Sequence, residues 1–173
     1  MEVFEAIKNR RSIRQFTNQT VPEEMVEKLI DAARLAPTAG NSQAYQLVII
    51  RQTPQKQRLS TAAFGQKQIQ TASLVFVVCA DLKKAKASYG DRGRDLYCIQ
   101  DTAAVTENIL LTACSLGLGT CWIGAFKEDD VKKVVNAPKD MRPVAMIPVG
   151  YPAESPVPTP RRMPSEFVHQ ETF

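Results

Sequence analysis

The stretch Leu96-Tyr97-Cys98-Ile99-Gln100-Asp101-Thr102-Ala103-Ala104-Val105-Thr106-Glu107-Asn108-Ile109-Leu110-Leu111-Thr112-Ala113-Cys114-Ser115-Leu116 decides the fold. Ile99, Ala103, Val105, Ile109, Leu110, Ala113 and Cys114 put apolar side chains around most of the girth of a helix. A helix of that kind must be covered on several sides, so 96–116 is predicted to be the central element of the molecule. Gly117 and Gly119 end it in the manner of C-cap residues. Downstream, 120–123 reads as a short strand, Gly124-Ala125-Phe126 as a turn, 128–135 as a helix, and 144–149 as a strand closed by Gly150.

Upstream, 74–80 is a Val-rich apolar run and is predicted to be a buried strand. Between it and the central helix, residues 81–95 are charged and contain glycine, which predicts a loop long enough to act as a lid or rim. Residues 55–63 read as helix and 47–51 as strand. A helix is expected over 22–36, with Pro22 in its first turn and Met25, Val26, Leu29, Ile30 and Ala33 as its apolar stripe, stopped by Pro37. Residues 3–9 form a short helix. From Tyr151 onward, Pro152, Pro156, Pro158, Pro160 and Pro164 forbid regular structure, and Arg161, Arg162, Phe167, Val168 and Phe173 lie in that tail. Such a tail is either disordered or an arm laid across a partner subunit.

The chain has 173 residues, 44% hydrophobic, enough for one domain with a real core, expected to span 1–173. A net charge of +4 without basic runs interleaved with aromatics argues against nucleic acid. The apolar runs are too short to span a bilayer, so no membrane association is expected. Residues 1–5 show no basic region leading into an apolar core, so no signal peptide is expected. Cys79, Cys98, Cys114 and Cys121 form no Cys-x-x-Cys pair and read as buried thiols in a reducing cytoplasm. The only histidine is His169, which leaves little material for a histidine triad or a multi-histidine metal site. If the chain is an enzyme, a cofactor is expected to carry the chemistry.

Two arginine clusters, Arg10-Arg11-Ser12-Ile13-Arg14 and Arg161-Arg162, offer fixed guanidinium donors suited to a phosphate. Arginine at a helix end equally complements the helix dipole. Between the clusters, Pro37-Thr38-Ala39-Gly40-Asn41-Ser42-Gln43 is a turn of small and amide residues suited to the edge of a flat hydrogen-bonding ring. Gly117-Leu118-Gly119 is not a dinucleotide fingerprint, because it follows a helix, precedes a strand and lacks the third glycine.

In order and spacing, five segments resemble the FMN-dependent nitroreductase family. They are Arg10 to Phe16, Ala36 to Gln43, Gln100 to Ala104 running on to Gly119, Trp122 to Phe126, and Pro148 to Pro152 with Arg161-Arg162. The resemblance implies an α+β fold with a central mixed sheet flanked by helices, built as an intertwined homodimer. In it the C-terminal arm, 151–173, wraps the partner subunit. It implies FMN at the dimer interface, with Arg10 and Ser12 on phosphate and ribityl groups and Arg14 near the pyrimidine edge of the flavin. It further implies Arg162, and less clearly Arg161 and Arg11, closing on the phosphate, and Pro37, Thr38, Ala39 and Asn41 offered by the partner chain. Ile123, Gly124 and Ala125 would lie beneath flavin N5, and Gln66 or Gln68 would meet the ring edge. Chemistry at N5 would then need no catalytic side chain. NAD(P)H would be a passing substrate that reduces the flavin by ping-pong exchange with a nitroaromatic, quinone or other small acceptor.

Two departures from the family pattern are present. Gln43 is followed by Ala44 and Tyr45 where many members have proline, and Gly124-Ala125 stands where many have Glu-Gly before phenylalanine. A non-catalytic flavin-binding or storage protein remains a rival reading. So does a specialised flavin enzyme, such as a dehalogenase or a flavin-fragmenting enzyme, with Tyr89, Arg92, Arg94 and Tyr97 as the place where specialisation would sit.

Overall fold

The computed structural model describes residues 1–173. A sheet of four strands, β1 (Tyr45–Ile50), β2 (Leu74–Asp81), β3 (Gly119–Thr120) and β4 (Met141–Gly150), runs in the order β1-β2-β4-β3. Seven α-helices accompany it: α1 (Val3–Asn9), α2 (Glu23–Arg34), α3 (Thr53–Ala62), α4 (Gln68–Thr71), α5 (Leu82–Arg92), α6 (Cys98–Ser115) and α7 (Glu128–Val135).

β2 shows why the layers stack as they do. Every residue from Leu74 to Ala80 is buried. Side chains alternate faces along a strand. Leu74, Phe76 and Val78 therefore join α2 and α6 in one core, while Val75, Val77 and Cys79 join α3 and α7 in the other. β4 divides in the same way, with Ala145, Ile147 and Val149 on the first face and Met146 on the second. A strand covered on both faces reads as a continuous apolar run rather than an alternating one. Each large side chain buried there contributes about 1.5–3 kcal/mol. Cys79 lies so deep that burial pushes its thiol up to about 11.

The central helix was expected over 96–116 and is α6, in which no residue from Asp101 to Cys114 is fully exposed. It stops in a Schellman turn: Leu118 N–H donates to Ala113 O at 2.8 Å and Gly117 N–H to Cys114 O at 3.1 Å, with Gly117 at φ 74°.

Three expectations need correction. Residues 81–95 are not a loop. The Asp81 carboxylate accepts the Lys84 N–H at 2.9 Å and so starts α5. The helix breaks at Tyr89 and Gly90, and a π-turn over Gly93–Tyr97 leads into α6. The sheet is not mixed, since β1–β2, β2–β4 and β3–β4 all pair antiparallel. The parallel contact is a single bridge, Ser12 to Thr120, outside the strands. Finally, 120–123 is not a continuous strand. Thr120 pairs with Val149 and Ile123 with Met146, which sets Cys121 opposite Pro148. Met146 N–H points to this side, donating to Ile123 O at 2.9 Å. Two residues on, Pro148 has no N–H to offer, so the pairing lapses there.

Candidate functional site

The first arginine cluster lies along the sheet edge made by β3. Ile13 N–H donates to Thr120 O at 2.8 Å, Thr17 N–H to Tyr151 O at 2.9 Å, and Ala153 N–H to Gln15 O at 2.9 Å. The segment thus sits between β3 and the start of the tail. A Cβ on Gly119 would stand 2.9 Å from the Ile13 side chain, so only glycine permits this approach. The Glu154 carboxylate accepts the backbone N–H groups of both Arg14 and Gln15, and ties the tail to the cluster.

These contacts are made by backbone, which leaves the side chains available. Arg10 and Arg11 line a groove of about 230 Å³ together with Cys114, Gly119, Thr120 and Glu154. Arg10 pairs loosely with Glu107 of α6, at 3.8 Å. Arg11 turns back on α1, its Nη1 donating to Lys8 O at 2.7 Å and Arg10 O at 2.8 Å. It therefore serves the helix C-terminus, as the dipole argument allows. The Arg14 guanidinium is exposed and makes no hydrogen bond or ion pair. Cys121 reports how close the cluster is. Burial pushes its thiol up, against the opposing pull of Arg14, the Ser12 hydroxyl and Arg10.

The turn at 124–126 follows directly. Ile123 is held by Met146 at 2.9 Å, and Lys127 N–H donates to Ala62 O at 2.9 Å. Gln66 Nε2 donates to Ala125 O at 3.1 Å, and Gln68 Nε2 to Gln66 Oε1 at 2.9 Å. Gln66 is thus the residue that touches the turn, and Gln68 supports it. The backbone N–H groups of Gly124, Ala125 and Phe126 have no protein acceptor, although both ends of the turn are fixed.

The 37–43 loop is built in the opposite way. Ala39 N–H donates to Asp101 Oδ1 at 2.9 Å, Gln43 N–H to Thr38 Oγ1 at 3.0 Å, and Gln43 Nε2 to Asn41 Oδ1 at 3.1 Å. Gly40, Asn41 and Gln43 all have positive φ. A Cβ on Gly40, whose φ is 54°, would lie 2.0 Å from the Tyr89 hydroxyl, so a side chain there would displace the Tyr89 ring. Pro37 and Asn41 are exposed beside it. Asp101 is buried, and that burial raises its pKa against the lowering effect of the Ala39 N–H. Beyond Tyr89, Tyr97 stacks edge-on at 5.5 Å and accepts a hydrogen bond from Arg92 Nε at 2.9 Å.

Within the chain these groups form two separate clusters. Asp101 holds the loop at the first turn of α6, and Cys114 borders the groove at its last turn, about 20 Å along the axis at 1.5 Å per residue. Arg161 and Arg162 join neither cluster. Arg161 Nη1 bonds to Thr159 Oγ1, and Arg162 lies 5.4 Å from the Phe167 ring centroid, both on the exposed tail. Sequence reading missed the three carboxylates that organise the site, Asp101, Glu107 and Glu154. Asp101 and Glu107 gave a weak signal, as the two charges on the most apolar helix of the chain, and Glu154 gave none. No helix is long and apolar enough to cross a membrane.

A family model described as the nitroreductase family matches residues 7–88 and 63–151. An oxygen-insensitive NADPH nitroreductase of Salmonella typhimurium is 31% identical over 175 residues, 97% of this chain and 72% of that protein. An FMN reductase (NADPH) of Bacillus subtilis is 30% identical over 183 residues, covering 98% and 74%. A solved nitroreductase structure from B. subtilis superimposes with a TM-score of 0.89 at 29% identity, over 99% of this chain and 74% of that one.

Proposed function

The chain belongs to the nitroreductase family, and on that premise we propose that it is an FMN-dependent oxidoreductase whose site is completed by a second copy. The observation that carries this reading is the separation of two preformed half-sites at opposite ends of α6. A two-fold partner packed against that helix would set the loop of one protomer over the groove of the other. Val3, Phe4 and Ile7 of α1, and Val157, Phe167, Val168 and Phe173 of the tail, are exposed apolar side chains that such a partner would cover. The domain would span 1–173, with 151–173 as the arm that wraps the partner and carries Arg161 and Arg162 to the phosphate.

The residues present fit FMN. Arg10 and Ser12 supply donors for its phosphate and ribityl chain, and the turn at 124–126 supplies unpaired N–H groups for the ring. When bound, FMN supplies two-electron chemistry, taking hydride from NAD(P)H and passing it to a nitroaromatic, quinone or other small acceptor. The protein's part is positional and electrostatic. Arg14, free of any internal partner, would place a fixed positive charge where reduction builds up negative charge. The 37–43 loop would offer small groups and backbone to the flat face of the ring. Gly124-Ala125 brings no carboxylate to the turn, which leaves room for varied acceptors. The names of the relatives, an NADPH nitroreductase and an FMN reductase, agree with this substrate class.

The test is the flavin content of purified protein, followed by stopped-flow reduction with NADH and NADPH and turnover with a nitroaromatic and a quinone. FMN released on denaturation, with reduction by either nicotinamide, is the expected outcome. Protein that binds no FMN after reconstitution would overturn the reading, and FMN without turnover would make the chain a flavin carrier. A flavin-loaded species at the 19.2 kDa subunit mass would refute the two-chain site.

A further inference from the structure

A second cavity, of about 410 Å³, opens beside residues 17–21 and shares no residue with the groove. Its volume falls in the range of about 300–1,000 Å³ usual for small-molecule pockets. Its wall is unusual in charge, with two cations, Arg51 and Lys56, and no carboxylate.

Lys56 is only 8% exposed. Its Nζ donates to the carbonyl of Ala72, the C-cap of α4. An ammonium group has three N–H donors, and the other two find no protein acceptor. No carboxylate lies within ion-pair distance of Lys56, and burial pushes its pKa down. A buried charge without a counter-ion is costly, so the fold holds an ammonium that lacks the partner its burial calls for.

The other donors around the cavity point to the same partner. Arg51 uses only Nη2 to grip Glu23, which leaves Nε and Nη1 free. The Ser73 and Thr17 hydroxyls each accept a backbone N–H, from Val21 and Gln19, and keep their own protons to donate. Capping of α4 accounts for one of these donors and leaves the rest unexplained.

We propose that this cavity binds a phosphoryl oxyanion, gripped by Lys56 from within and by Arg51, Ser73 and Thr17 from the rim. The multiple acceptor oxygens of a phosphoryl group match a wall that brings two cations and free hydroxyl protons but no carboxylate. The group is carried either by inorganic phosphate or by a small organic phosphate. The site is independent of the flavin reading, since it shares none of its residues.

The experiment uses FMN-saturated protein, so that phosphate cannot enter the Arg10 groove. If the protein takes up no FMN, the Arg10→Ala variant serves the same purpose. Amide ¹H–¹⁵N spectra are titrated at constant ionic strength with inorganic phosphate and, separately, with adenosine monophosphate. Saturable shifts are expected at residues 17–21 and 71–73, with affinity about tenfold or more weaker in Lys56→Met, as the loss of one charge-assisted contact implies. Saturation by inorganic phosphate identifies a free anion site, and saturation by adenosine monophosphate alone identifies an organic phosphate. No saturable shift there with either probe, or equal affinity in Lys56→Met, would overturn the proposal and leave Lys56 as the cap of α4. Should Lys56→Met fail to fold, Ser73→Ala and Arg51→Gln carry the same comparison.

Discussion

The two ends of α6 solve the same problem in opposite ways. At its last turn, the Arg10–Thr17 segment is held by its backbone, against Thr120, Tyr151 and Ala153. Of its side chains, Arg11 is spent on the end of α1 and Arg10 is held only loosely by Glu107, while the Arg14 guanidinium has no partner. At its first turn, the 37–43 loop is held by side chains. Asp101, Thr38 and Gln43 are consumed in fixing it, and what it presents outward is backbone and small groups. The difference separates stability from binding. Substitutions in the groove should act on a ligand and spare the fold, while substitutions under the loop should act on the fold first.

The largest expected effect comes from removing the tail, which the proposed two-chain site would draw on at both ends. Deletion of 156–173 removes residues that are almost all exposed in the single chain and leaves Glu154 in place. Light scattering should show the mass falling to that of one subunit, and FMN affinity should drop by about 100-fold or more, as the loss of two charge-assisted contacts implies. A truncated chain that stays dimeric and yellow would break the comparison. Next, Arg10→Ala should weaken FMN by about 10–100-fold in fluorescence titration, with urea stability unchanged within about 0.5 kcal/mol. Asp101→Ala should show the converse. It leaves the Ala39 N–H without an acceptor and should cost about 1–3 kcal/mol in urea unfolding. If the two variants instead lose stability equally, the groove is as structural as the loop.

Arg14→Gln sharpens the groove side further. Loss of its charge should lower the two-electron potential of bound flavin by about 20–60 mV, the equivalent of about 1–3 kcal/mol. FMN should still bind the oxidised protein. A potential that is unchanged or higher would move Arg14 away from the ring.

The smallest effect concerns pH. Burial raises the pKa of Asp101 in the folded chain above its ordinary 3.8. The folded state then binds a proton more tightly than the unfolded state. This contribution to stability is fully present below 3.8 and is lost as pH rises through the raised folded value. Urea midpoints followed upward from pH 3.8 should show that decline in the wild type and lose it in Asp101→Asn. An unchanged slope would assign it to another carboxylate.

The parts of the molecule that read clearly from sequence are those in which a single period dominates. The girth of α6 and the unbroken run of β2 both announced burial, and the bounds of α7 were read as they stand. Residues 81–95 failed because charge and Gly90 outweighed a better signal. Asp81 as N-cap, followed by Lys83, Lys84, Ala85, Lys86 and Ala87, is a run of strong helix formers behind a good start. Strand direction failed because nothing local encodes it, since β1 and β2 pair antiparallel across two intervening helices. The gap in β3 was legible only once Cys121 and Pro148 were known to face each other. In the site, arginines and small residues were visible because they act by type. Glu107 and Glu154 were not, because each is an ordinary carboxylate until the fold sets it beside a distant backbone or guanidinium.

β2 has one more consequence. Its residues are covered on both faces, and the strand is paired with β1 on one edge and β4 on the other. No local opening can free its amides, so they should exchange with deuterium only when the whole chain unfolds. Any ligand that favours the native state slows that event by mass action. The amides of Val75 to Val78, which lie in neither the groove nor the 37–43 loop, therefore form an internal clock. Their exchange rate would register occupancy at either end of α6, or in the Lys56 cavity, without a label at any of them.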